Sequence, residues 1–135
     1  MPATQVFFYK DDREVPVKDW LAELRKRDRK GFAKCVVRLL ELAKYGHELR
    51  RPAADILQAG IYELRAKHGH VQYRILYFFH GRNVTVLAHA IVKEGAEVPQ
   101  ADVRLAAQRR DRLLRDPAAH LLELEIEQVE GSENG

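Results

Sequence analysis

The chain has 135 residues, 23 basic against 20 acidic, one cysteine and one serine. That length suits one domain with a modest core. The single Cys35 excludes an internal disulfide and any multi-cysteine metal site, and Ser132, lying near the C-terminus, excludes serine-hydrolase chemistry. Residues 117–135 hold five Glu and no Lys or Arg, so residues 1–116 carry +8. A basic body with an acidic tail points to a polyanion or an acidic protein as partner, although charge argues for association and not for chemistry. Neither a signal peptide nor an apolar run of about 18 residues is present, so the expectation is a cytoplasmic protein with no membrane contact.

Residues 4–10, TQVFFYK, read as a first strand. Pro16 suits the first position of a helix whose apolar side is Val17, Trp20, Leu21 and Leu24. Asp28 is placed to cap a second helix, with the stripe Phe32, Val36, Leu39, Leu40 and Ala43 running to Gly46. Residues 47–59 give no clear element. Residues 60–93 read as three strands joined by turns at Gly69 and at residues 80–83. Pro99 opens a third helix, with Val103, Ala106, Ala107 and Leu114 inward and Arg104, Arg109, Arg112 and Arg115 outward; Asp116-Pro117 ends it. In the tail, Leu122, Leu124 and Ile126 alternate with glutamates, which suits an edge strand, a short helix or a mobile segment. The expected fold is therefore α+β. An N-terminal strand and a three-stranded meander form an antiparallel-rich sheet against a helical hairpin, with a C-terminal helix. The domain covers residues 1–116 and the acidic tail 117–135.

The meander carries the chemistry. Side chains on a strand alternate in direction, so Tyr62, Leu64, Val71, Tyr73, Ile75, Tyr77, Val84, Val86 and Ala88 make one nearly pure core face. Pairing Ala66 with Val71 and His80 with Asn83 would set Glu63, Arg74 and His89 in a row on the other face. Arg65 then lies beside Gln72, and Lys93 opposite His70. A half-solvated antiparallel sheet that is simply polar on its open side fits the same alternation. No Gly-rich phosphate loop or HExxH motif occurs, and His68-x-His70 is too weak a signal for a metal, so neither metal nor cofactor is expected. Arg and Lys on strands can hold a phosphodiester and stabilise the charge developing on its oxygens. RNA brings its own nucleophile in the 2′-hydroxyl. Arg65, Arg74 and Lys93 supply the cations, and the imidazole of His89, a side-chain type that can both give and take a proton, suits a proton carrier.

The phrases GIYELR (60–65), YRILY (73–77) and VLAHAIVK (86–93), with Pro99 opening a helix that contains Ala106-Ala107, resemble the RelE/ParE toxin superfamily, in particular its phage-derived, Gp49-like HigB branch. The resemblance spans about residues 4–115. It implies the toxin of a type II toxin–antitoxin pair, a ribosome-associated endoribonuclease that cleaves mRNA and is neutralised by a helix-turn-helix antitoxin, in a complex of heterotetrameric type. Arg65, Arg74 and Lys93 match basic positions of its motif. With His89 they form the expected catalytic set, and Lys67, His70, Arg82 and Arg104 are expected to bind RNA. The family often has a second Lys where this chain has Glu94, and an aromatic where it has Ile91. Two other readings stay open: a ParE-like toxin that inhibits a topoisomerase, and an inactive phage or transposon accessory protein that only binds its antitoxin.

Overall fold

A computed structural model describes residues 4–125. The chain folds into β1 (Gln5–Tyr9), the hairpin of α1 (Pro16–Arg27) and α2 (Arg29–Tyr45), and the strands β2 (Ala54–Gln58), β3 (Ile61–His68), β4 (Val71–His80) and β5 (Val84–Lys93). Then come α3 (Gln100–Arg115), a one-turn helix α4 (Pro117–His120) and β6 (Leu121–Glu123). The α+β class, the meander and the two packing helices are as expected, but the sheet has six strands in the order β2-β3-β4-β5-β1-β6. β1 runs parallel to β5 and antiparallel to β6. Of the expected tail strand, Leu122 pairs with Phe8 and Leu124 is buried, whereas Ile126 lies outside the described residues.

Both faces of the sheet are covered. On one, Val17, Leu21 and Leu24 of α1 and Phe32, Cys35, Leu39 and Leu42 of α2 pack on Leu64, Tyr73, Ile75, Tyr77 and Leu87. On the other, Val103, Ala106 and Leu113 of α3 pack on Ile61, Leu76, Phe78, Val86 and Ala88. The expected faces of Val84, Val86 and Ala88 are thus corrected. A bulge where β4 passes from Leu76 to Tyr77 sets Leu76 opposite His89 but Tyr77 opposite Leu87, and the extra residue, Ala88, reverses the alternation above it. Two helix positions are corrected too. Leu40 and Leu114 are exposed, while Leu42 and Leu113 are buried. From Val103 and Ala106, a period of 3.6 brings residue 113 back to the buried side.

The hairpin is locked to the sheet at Asp28. Its carboxylate caps α2 by accepting from the Gly31 amide at 2.9 Å. It also accepts from the Tyr73 hydroxyl at 2.6 Å and lies 2.9 Å from His68 Nδ1. These bonds hold its pKa down to about 2, with the Tyr73 hydroxyl as the largest cause. The charge answers the dipole of a helix whose first turn holds Arg29 and Lys30 and no acid. Gly31 is required here by close approach, since a Cβ would run into the Asp28 carboxylate and lie 2.8 Å from the Tyr73 ring.

Candidate functional site

The meander register differs from expectation by two residues between β3 and β4 and, as far as the bulge, between β4 and β5. His68 pairs with Val71, Arg65 with Arg74 and Lys67 with Gln72; on the next strand Gln72 pairs with Lys93, Arg74 with Ile91 and Leu76 with His89. A shift of two keeps the side chains on this side of the bulge on their expected faces and changes their neighbours. The row Glu63, Arg74 and His89 is therefore not formed. Leu76 stands between Glu63 and His89, and the polar rows are Arg65 with Arg74 and Lys67 with Gln72 and Lys93. α3 covers this face over Leu76 and Phe78 and leaves the end bearing Arg65, Lys67 and Lys93 open.

Two arginines directly opposed across strands repel. Glu63 offsets this repulsion from a buried position. It accepts from Arg65 Nε and Nη2 at 2.9 and 2.8 Å, and Oε1 lies 3.2 Å from Arg74 Nε as an ion pair without hydrogen-bond alignment. Arg74 is itself buried, and donates to the Tyr73 carbonyl at 3.0 Å and to Gln72 Oε1 at 2.7 Å. Burial lowers its pKa, with Glu63 opposing that shift; the guanidinium stays charged. Arg74 thus forms the floor of the site, and its reachable cations are others. The Arg65 side chain is 31% exposed and lies 3.8 Å from Asp55 on β2, which pairs with Arg51 at 2.6 Å. The Arg51 hydrogen bond is the largest cause of the lowered pKa of Asp55. Lys93 makes no ion pair or hydrogen bond among the described residues.

These groups face a cleft of about 440 Å³ between β2, β3 and the loop before α3. Its charged lining is Arg51, Arg65 and Lys93 against Asp55, Glu63 and Glu97, so it is balanced and not simply basic. A bond of 2.6 Å between Gln58 and Gln100 ties β2 to the start of α3 across it. The sequence reading missed Arg51 and Asp55. Their signal was the basic run before Pro52 followed by Asp55, in a segment where no strand was recognised.

The remaining expected residues are dispersed. His89 faces α3: Nε2 lies 2.7 Å from Asp102 Oδ1 and Nδ1 lies 3.4 Å from Arg109 Nη1. With Arg109 as donor, the proton sits on Nε2 and points to Asp102. Arg109, expected outward, also donates to the Ala88 carbonyl at 2.6 Å and lies over the Tyr9 ring. Lys67 is exposed beside Gln72, and His70 is exposed in the β3–β4 turn at the same end of the sheet. Arg82 occupies the β4–β5 turn, beyond His80, which itself lies six strand residues or roughly 20 Å from Arg74. Arg104 is exposed on α3. Glu94, directly after Lys93, is exposed at the rim. Among the described residues, no three His, Cys, Asp or Glu side chains gather as metal ligands would, and no helix is long and apolar enough to cross a membrane.

A family model of phage-derived, Gp49-like proteins matches residues 19–111, from α1 to the last turn of α3. No curated protein matches the chain.

Proposed function

The chain belongs to the family of phage-derived, Gp49-like proteins, a RelE/HigB-type toxin family whose members are paired with antitoxins, and from that premise we propose that it is an endoribonuclease that cuts mRNA on the ribosome. The observation that carries this reading is the gathering of Arg65, Lys67 and Lys93 at the uncovered end of a sheet face, beside a cleft large enough for a nucleotide.

In this reading Lys93, without an ion pair or hydrogen bond among the described residues, takes a nonbridging oxygen of the scissile phosphate. Arg65 takes another as it exchanges its distant contact with Asp55 for the ligand. The RNA 2′-oxygen attacks phosphorus, the bond from phosphorus to the 5′-oxygen breaks, the departing 5′-oxygen takes a proton from solvent water that the protonated base then restores, and the products are a 2′,3′-cyclic phosphate and a 5′-hydroxyl. The cations stabilise charge that grows on the phosphoryl oxygens. Asp55, whose side chain is 25% exposed at the cleft, accepts the proton of the 2′-hydroxyl, and the low pKa that Arg51 gives it makes it a weak base and the reaction slow. Arg74 and Glu63 position Arg65 from below, and His89 sets α3 against β5 through Asp102. A helix-turn-helix antitoxin is the partner that silences it.

One observation favours a second reading. The cleft arginines are already engaged by Asp55 and Glu63, which suits a toxin that acts by binding, a topoisomerase inhibitor, or a protein that only binds its antitoxin. Induced expression followed by mapping of RNA 5′ ends separates the readings. New ends within translated mRNA should appear with the natural chain and vanish with Lys93→Ala and Arg65→Ala, both folded by circular dichroism. Growth arrest with intact mRNA overturns the endoribonuclease reading.

A further inference from the structure

β2 pairs with β3 only as far as Leu64, and the Arg65 amide takes one more bond, to the Ala53 carbonyl at 2.8 Å. Beyond that point, among the described residues, 66–68 of β3 have no strand on their outer side. A shallow depression runs over this open edge. On the α3-facing side it is lined by Arg65, Lys67, Gln72 and Arg74, and it adjoins the cleft at Arg65. On the hairpin side it continues between β3 and α2, where Lys34, Val37 and Arg38 meet Ala66 and Lys67. Arg38 bridges the two parts, since it lines both and donates from Nε to the Arg65 carbonyl at 2.7 Å.

The cations along this path are of two kinds. Arg38 is held by Glu41 at 2.8 Å and by the Arg65 carbonyl. Lys34 and Lys67 are exposed and make no ion pair or hydrogen bond among the described residues. The nearest acid in sequence to this end of α2, Asp28, is consumed in capping the helix and in its bonds to Tyr73 and His68. None of the described residues lining the path is aromatic.

We propose that this path is a second RNA-contact surface, on which the strand leaving the cleft crosses the open edge of β3 and reaches Lys34 on α2. It rests on the endoribonuclease reading for its ligand. A line of lysines without stacking rings grips phosphates and not bases, so the contact tolerates any sequence and weakens steeply with salt. Lys34 therefore adds length-dependent affinity and takes no part in the cleft.

The test is fluorescence anisotropy with 2′-O-methyl oligouridylates of 3 and 12 nucleotides, which bind without being cut. Lys34→Glu should weaken the 12-mer roughly three- to tenfold, leave the 3-mer unchanged, and reduce the slope of log affinity against log salt by about 0.7. Lys18→Glu, the same charge change on exposed α1, should leave both oligomers unchanged. The inference falls if Lys34→Glu binds the 12-mer as the natural chain does, or if Lys18→Glu weakens it equally. Loss of length dependence in Lys34→Glu, with 3-mer binding that survives Arg65→Ala and Lys93→Ala, would sink the cleft reading and leave the path standing. A natural chain that binds neither oligomer overturns both.

Discussion

Glu63→Gln tests the electrostatic design of the cleft floor. Glu63 and Arg74 are 4% and 5% exposed, and removing one partner of a buried pair costs about 3–5 kcal/mol, because the other charge is left without compensation. Arg74 keeps its bonds to the Tyr73 carbonyl and to Gln72, which sets the cost near the lower end, about 3 kcal/mol. The half-bound Arg65 adds less than about 1 kcal/mol, because water screens it. That is a large share of the roughly 5–15 kcal/mol that holds a domain together. Replacing both partners, in Glu63→Met with Arg74→Met, removes the charges together and should return stability to within about 1 kcal/mol of the natural chain. Urea unfolding followed through Trp20, the only tryptophan, which meets the Tyr73 ring edge-on at 5.8 Å, reads both variants. The denaturant slope should be unchanged. A single variant costing under about 1 kcal/mol, or a double variant as unstable as the two singles combined, would refute the reasoning.

Three further outcomes follow from the packing and from Asp28. The folded pKa of Asp28, about 2, lies below the unfolded value near 3.9, so its stabilisation is complete above that value and is lost as pH falls through about 2. The stability gap between the natural chain and Asp28→Asn should narrow across that window, and a constant gap in acid denaturation would contradict it. Leu113→Ala should cost about 2–5 kcal/mol and Leu114→Ala about 0.5 kcal/mol or less, since only the first is buried; equal costs in urea melts would reassign the face of α3. Burial pushes the Cys35 thiol up to about 12, so alkylation by iodoacetamide at pH 8 should run at least about a hundredfold slower than in urea. Fast labelling of the folded chain would mean that the hairpin opens freely.

The sequence reading found the meander because Gly69 and Gly81, at φ 62° and 67°, mark its turns where a side chain would be strained. It assigned Arg65, Arg74 and Lys93 to one face for the same reason that it erred in register: alternation reports the face of a residue and is blind to a slip of two. The Asp28 cap was equally legible, being a short acid between two amphipathic periods. β2 was not. Its hairpin with β3 turns at Ala59 and Gly60, at φ 54° and 77°, and alanine in that geometry hides a signal that Asn-Gly or Asp-Gly would have given. Arg51 and Asp55 went unrecognised with it. The bulge at Ala88 was hidden because Leu87 and Ala88 are both apolar, so no polar residue marks the change of face. The partners of His89 lie on α3, 13 and 20 residues away, and pairwise placement across a helix and a sheet is beyond any one-dimensional period.

The pairing of β1 with β6 has a consequence in time. Phe7 and Glu123 face each other across the sheet, although more than a hundred residues separate them. At ordinary rates of synthesis, about 5–20 residues per second, β1 waits roughly 6–23 s for β6 to be made. For roughly the first two-thirds of that interval β5 is not yet made either, since Phe7 pairs with Val86; after that β1 can pair with β5 alone, and its other edge stays open to any extended segment nearby. The described sheet is therefore completed only once β6 has been made, and that pairing follows translation of β1 by a delay set by the ribosome.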